Sequence, residues 1–139
     1  DVAVNAMLEE GMSNVFARHA RMARATRAGG LAVGMSLFAV TGAAKAMSLG
    51  HGFLVVLIMG ATTASAGGLL RDVIANEEPL VLKEGELYAT CALAGSLVYF
   101  LIAVNGGAET LAFLAGMATA FVLRASAIIF GIKLPRARG

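Results

Sequence analysis

Charged residues are scarce in this chain, and that scarcity bounds what it can be. Asp, Glu, Lys and Arg make up 14% of 139 residues while 58% are hydrophobic, against roughly 25% and 45–50% in soluble globular domains. The balance excludes an ordinary soluble domain and points to a membrane protein of one-domain length. Tryptophan is absent and tyrosine occurs twice, so there is little to stack on nucleobases. A net charge of +2 is too small and too scattered to track phosphates, and nucleic-acid binding is set aside. A single cysteine, Cys91, excludes an internal disulfide framework and a cysteine-caged metal. In its apolar run it reads as a small buried hydrophobe. His19 and His51 each lack a second ligand nearby, so no metal or cofactor is indicated and the chain does not read as an enzyme.

Long apolar runs are what the sequence does have. Four of them, Leu31 to Met47, Phe53 to Leu70, Leu87 to Val104 and Leu111 to Ile132, are long enough to cross a hydrocarbon core, which takes about 20 residues. None carries the polar stripe that a soluble four-helix bundle would need. The expected fold is therefore all-α: a multi-pass membrane protein with four transmembrane helices (30–135), preceded by an amphipathic basic segment (1–29) and followed by a basic tail (136–139). The connectors are "SLGHG", "RDVIANEEPLVLKEGE" and "NGGAET".

Basic residues give the direction. Arg18, Arg21, Arg24 and Arg27 precede the first span, Arg71 and Lys83 flank the long middle connector, and Lys133, Arg136 and Arg138 follow the last span; the two other connectors carry no Lys or Arg. The positive-inside rule then predicts cytoplasmic termini and a cytoplasmic middle connector, in the cell's inner (plasma) membrane. The chain begins with Asp1 rather than Met, as a fragment or processed product would. Its first apolar run lacks the short basic leader of a signal peptide.

The segment "AMLEEGMSNVFARHARMARATR", Ala6 to Arg27, has a different pattern. Met7, Leu8, Met12, Val15 and Phe16 form an apolar stripe at helical spacing, and the four arginines recur every third residue. An amphipathic helix lying in a membrane interface fits this pattern. The stretch also resembles a helix of the alanine–glyoxylate and serine–pyruvate aminotransferases, with their "EEG…NVFARH…ATR" run, over about residues 6–28. It contains no lysine to hold pyridoxal phosphate, so the resemblance implies origin rather than transaminase activity.

Ionisable groups within spans cost roughly 2.5–3.5 kcal/mol each at a helix centre, which makes them functional candidates. Lys45 lies near the outer end of span one and can snorkel. Arg124 is deep in span four, and no acidic residue lies within any of the four runs. The nearest acid at the boundary is Asp72, which leaves two arrangements open: an Asp72–Arg124 pair between packed spans, or an Arg71–Asp72 pair lining a polar vestibule. Thr62, Thr63 and Ser65 stand just before the adjacent glycines Gly67 and Gly68. Hydroxyls there could replace part of an ion's hydration shell, and paired glycines invite a helix kink or break, a feature of substrate-handling membrane helices. Pore or kink candidates are thus Lys45, Thr62, Thr63, Ser65, Gly67, Gly68, Arg71, Asp72 and Arg124. The other small residues of the spans read as packing positions.

From about Gly34 onward the chain resembles the prokaryotic trimeric intracellular cation (TRIC) channel family, whose domain is also known as an uncharacterised or glycine-transporter membrane domain. The matching stretches are "LFAVTGAAKAM" (Leu37 to Met47), "MGATTASAGGLLRDVIANEEPLVL" (Met59 to Leu82), "ELYATCALAGSLVY" (Glu86 to Tyr99) and "VLRASAI…LP" (Val122 to Pro135). The resemblance implies a cation channel of two inverted three-helix repeats plus a last helix, trimeric, with a pore in each subunit flanked by glycine-kinked helices. Gly67 and Gly68 match one such kink, with Ala66 standing where the family has a third glycine. The chain would hold the second repeat and the last helix. Monovalent cations such as K⁺, membrane lipid and further copies of the chain are the expected partners. A small-solute transporter, of glycine for instance, and a truncated non-conducting protein are the alternatives.

Overall fold

A computed structural model describes residues 2–76 and 80–130. Lys133, Arg136, Arg138, Pro135 and the basic tail lie outside the described residues, as do residues 131 and 132 of the fourth span; the side chain of Lys83 is likewise outside them. Among the described residues there are five helices and no strand: α1 (Val2–Glu10), α2 (Met12–Ser48), α3 (Phe53–Ile74), α4 (Leu80–Val104) and α5 (Glu109–Phe130). Four of them, α2 to α5, are long and apolar enough to cross a membrane. The chain divides into two units, residues 1–30 and 31–139.

In the first unit, the single amphipathic helix expected over Ala6 to Arg27 is interrupted. Gly11 takes a left-handed φ of +81°, a conformation open to glycine at little cost, and ends α1. The helix restarts at once, the amides of Asn14 and Val15 donating to the Gly11 carbonyl at 3.0 and 3.2 Å. Leu8, Met12 and Phe16 are exposed. His19 makes a local 2.9 Å contact through Nδ1 with the Val15 carbonyl oxygen.

The second unit is a bundle packed through small residues. On α2 the buried stripe is Ala32, Met35, Ser36, Ala39, Val40, Ala43 and Ala46, the spacing of one helix face. On α3 it is Val56, Gly60, Ala64 and Asp72, and on α5 Ala112, Gly116, Ala120, Arg124 and Ala127. Outward positions hold large apolar groups such as Leu54, Ile58, Leu70, Leu111, Leu114 and Val122. This inside-out arrangement suits lipid, where the hydrophobic effect does not drive helices together and small residues let backbones approach.

Glycine marks each close crossing. A Cβ on Gly42 of α2 would come within 2.7 Å of the Met59 carbonyl oxygen of α3. One on Gly60 would lie 2.8 Å from the Ala39 carbonyl oxygen and against the Ser96 side chain. Gly95 of α4 and Gly116 of α5 face each other: a Cβ on either would sit 2.9 or 2.8 Å from the other's carbonyl oxygen. Ser96 ties α4 down, its hydroxyl donating to Ala92 O at 2.9 Å and reaching Ala39 O at 3.4 Å.

Two of the turns use the same device. Gly50 (φ +78°) and Gly106 (φ +77°) close α2 and α4, with the paired amide bonds of a Schellman motif: Gly50 to Met47 and His51 to Ala46, then Gly106 to Ala103 and Gly107 to Ile102. After α3 the same position is taken by Asn76 at φ +53°, its amide donating to Val73 O at 3.1 Å.

Candidate functional site

The sequence reading assigned Arg71 and Asp72 to the middle connector, and the structure corrects this. Helix α3 continues to Ile74, so both residues belong to its last turn. Apolar composition falls off after Leu70, but backbone hydrogen bonding does not, and the helix stops only where Asn76 turns left-handed. Asp72 is 2% exposed, at the end of the small-residue face of α3. Arg71 is half-exposed and folds back onto it: Nε donates to Asp72 Oδ1 at 2.9 Å, and Nη2 donates to the same oxygen. An Arg71–Asp72 pair, one of the arrangements open from sequence, is present. A carboxylate near a helix C-terminus opposes the helix dipole, and the adjacent guanidinium offsets this.

Arg124 continues the buried small-residue face of α5, farther from the helix end than Asp72 is on α3. It is 2% exposed and the largest fully buried side chain of the described residues. Its guanidinium carbon stands 5.7 Å from the centroid of the Tyr88 ring, within the range where a cation is attracted to the face of an aromatic ring. Tyr88, on α4, is itself buried, and its hydroxyl donates to the Ala64 carbonyl of α3 at 2.8 Å. Arg71, Asp72 and Arg124 all lie within electrostatic reach of its phenol.

The result is a polar cluster walled by α3, α4 and α5. Met35, Ala39, Ala64, Tyr88, Cys91, Ala92 and Ala120 form the apolar core beside it. Two guanidinium groups and one carboxylate contribute there, with the Tyr88 hydroxyl and the Ala64 carbonyl. Such a group can attract or repel small ions, and the low dielectric around it strengthens each interaction.

The remaining candidates are not gathered at this cluster. Lys45 is exposed on α2. Thr62 is exposed, Thr63 lies against the Gly42 position, and Ser65 is half-buried; Thr62 and Ser65, three residues apart, share a face, and Thr63 is turned about 100° from Thr62. Gly67 and Gly68 do not break α3, which is helical throughout. At Gly67 the lack of a side chain makes room for the Phe38 ring, which a Cβ would meet at 2.8 Å. Several other hydroxyls bond within their own helices, Thr41 to Leu37 O at 2.7 Å and Thr119 to Ala115 O at 2.8 Å, as expected of serine and threonine in helices.

Tyr88 is the site residue that motif reading passed over. The signal was the spacing of Tyr88, Cys91, Ala92, Gly95, Ser96 and Tyr99, a helical stripe of small residues with a tyrosine at each end. A buried tyrosine needs a partner for its hydroxyl.

Residues 31–104 match the family model described as Glycine transporter. A UPF0126 membrane protein of Vibrio cholerae is 34% identical over 104 residues, covering 75% of this chain and 43% of that protein. The UPF0126 inner membrane protein YadS of Escherichia coli is 37% identical over 108 residues, covering 75% of this chain and 50% of that protein. Among solved structures, a TRIC cation channel described for its conductance aligns with a TM-score of 0.69 and 37% identity, over 81% of this chain and 55% of that one. The TRIC trimeric intracellular cation channel orthologue from Rhodobacter sphaeroides aligns with a TM-score of 0.67 and 41% identity, over 76% and 54%. The chain spans about half the length of the curated relatives it matches. These relatives are membrane proteins and channels, not enzymes.

Proposed function

The chain belongs to the TRIC family, with its glycine-transporter domain and UPF0126 members, and from that premise we propose that it serves as part of a cation channel passing monovalent ions such as K⁺. The observation that carries this reading is the cluster of buried Asp72, Tyr88 and Arg124 with half-exposed Arg71 at the meeting of α3, α4 and α5. Charges are expensive inside a bilayer and are retained where an ion or solute is handled. The likeness to TRIC channels supports cations as the cargo and a homotrimer as the assembly. The inner-membrane relative supports the inner membrane as the location, and the distribution of arginine and lysine supports cytoplasmic termini.

In this reading Asp72 and Arg71 stand at the cytoplasmic end of the path and Arg124 sets the field one layer deeper. Thr62, Thr63, Ser65 and Lys45 are secondary candidates for lining it, and Gly67 with Gly68 for a bend in α3. A transporter of glycine is the second reading, favoured by the description of the matching family model. Vesicles reconstituted with the 139-residue chain separate the two. K⁺ flux that follows voltage and does not saturate supports the channel, whereas saturable glycine uptake replaces it with the transporter. Silence of both leaves a non-conducting half.

A further inference from the structure

We infer that Tyr88 is the positioning residue of this cluster: its hydroxyl anchors α3 one turn before Gly67–Gly68 and its ring face holds the Arg124 guanidinium. The inference rests on the cluster described above and specifies how its parts are held in register.

The anchor point is unusual in where it falls. In an α-helix the Ala64 carbonyl accepts from the amide of Gly68, so the Tyr88 hydroxyl shares the acceptor of a glycine amide. A shared acceptor beside two residues of low helix propensity is where α3 is easiest to deform. The bond from Tyr88 therefore fixes the segment carrying Asp72 against α4. The same side chain faces α5 with its ring, and the planar guanidinium of Arg124 suits the π face better than an ammonium would. One residue thus links the buried acid-bearing helix to the buried cation. Neither Arg124 nor Asp72 could shift without altering the surroundings of Tyr88, since both lie within electrostatic reach of its phenol.

Cys91 reports on this arrangement without labels. It is the single cysteine of the chain, one helical turn from Tyr88 and packed with Tyr88, Ala64 and Ala120. Arg124 is within electrostatic reach of its thiol. The experiment measures the rate at which cationic and anionic methanethiosulfonate reagents modify Cys91 in the full chain, reconstituted in lipid vesicles, as wild type, Tyr88→Phe and Tyr88→Leu. Phenylalanine keeps the ring and removes the bond to Ala64. The expected result is a rise of roughly 3- to 10-fold for both reagents, the range for one lost interhelical hydrogen bond, with the anionic-to-cationic ratio unchanged. Leucine also removes the ring, so the cation–π contact with the guanidinium is lost and the ratio changes by about 2-fold or more.

A tyrosine that merely fills space would give the same ratio in all three proteins, and that result overturns the assignment. So does wild-type reactivity in Tyr88→Phe. Retained monodispersity in detergent shows that each variant is folded, and a Tyr88→Leu protein that fails this is replaced by Tyr88→Met. Ion flux is read separately on the wild type. No flux with the Cys91 pattern intact rejects the channel reading and leaves the role of Tyr88 standing.

Discussion

Helices α3 and α5 are built alike and end differently. Each presents small residues at intervals of about one turn, Gly60 and Ala64 on one, Gly116 and Ala120 on the other, and each continues that face into a buried charge, Asp72 or Arg124. Asp72 lies in the last turn of its helix, where a neighbouring half-exposed Arg71 reaches its carboxylate. Arg124 lies farther inside α5 and rests against Tyr88. A charge near a helix end can be balanced by its own sequence neighbour, because that neighbour still reaches water. One deeper inside needs a group from another helix. The pairing of a common small-residue face with two modes of charge compensation is what a substitution series can take apart.

The largest effect is expected from removing the acid. Asp72→Ala removes a buried carboxylate from beside two guanidinium groups, and taking one partner out of a buried charge cluster is strongly destabilising. Thermal unfolding in detergent, followed by a thiol-reactive dye on Cys91, should show a markedly lower midpoint. Adding Arg124→Leu should return part of the loss by removing one of the two cations beside the vacated acid position. Strictly additive losses would mean that the two helix ends are independent.

Next come the two crossing glycines. Gly60→Val and Gly116→Val each place carbon against a carbonyl oxygen of a neighbouring helix, 2.8 Å from Ala39 O or Gly95 O. Overpacking of this kind costs about 1–3 kcal/mol. Neither backbone can move aside as a flexible side chain can, so the two losses should be similar by the same unfolding assay. A loss confined to one would show that only one of these faces is a true close contact.

Smaller still is the difference between the arginines. Arg71→Lys affects a half-exposed pair, which is worth about 0–1 kcal/mol once solvent screening is counted. Arg124→Lys removes a planar cation from an aromatic face in a buried site, where such contacts reach about 2 kcal/mol. Unfolding midpoints should rank Arg124→Lys below Arg71→Lys, and the reverse order would shift the weight of the cluster to the helix end.

Composition alone was enough to reach the helices. Runs without charge or breaker residues over membrane length can satisfy their backbones only as helices, and the starts at Phe53 and Glu109 fall within a few residues of where the apolar runs begin. Ends were less legible. Arg71 and Asp72 end the apolar run without ending the helix, because what stops α3 is a backbone turn at Asn76 rather than polarity. The break at Gly11 was hidden for a similar reason: an apolar stripe can continue across a residue whose φ has changed sign. The charges of the site were visible as misplaced residues in a greasy chain. Tyr88 was not, since a tyrosine in an apolar run looks like any other hydrophobe until its hydroxyl is seen on Ala64.

Aligning α3 and α5 on their buried charges sets Gly67 and Gly68 opposite Thr119 and Ala120, so one helix has residues of lower helix propensity where its counterpart has higher. The smallest predicted effect tests this asymmetry from both sides. Gly67→Ala gains up to about 1 kcal/mol of helix propensity but meets the Phe38 ring. Phe38 is largely exposed and its ring can swing outward, so the net change in unfolding midpoint should be near zero while amide exchange in the last two turns of α3 slows. Thr119→Gly on α5 should do the opposite, losing the hydroxyl bond to Ala115 O and about 0.5 kcal/mol of propensity, with faster exchange around Arg124. Hydrogen exchange by mass spectrometry reads both. Equal exchange in the wild-type helices would remove the asymmetry, and with it the reason to regard α3 rather than α5 as the element that bends.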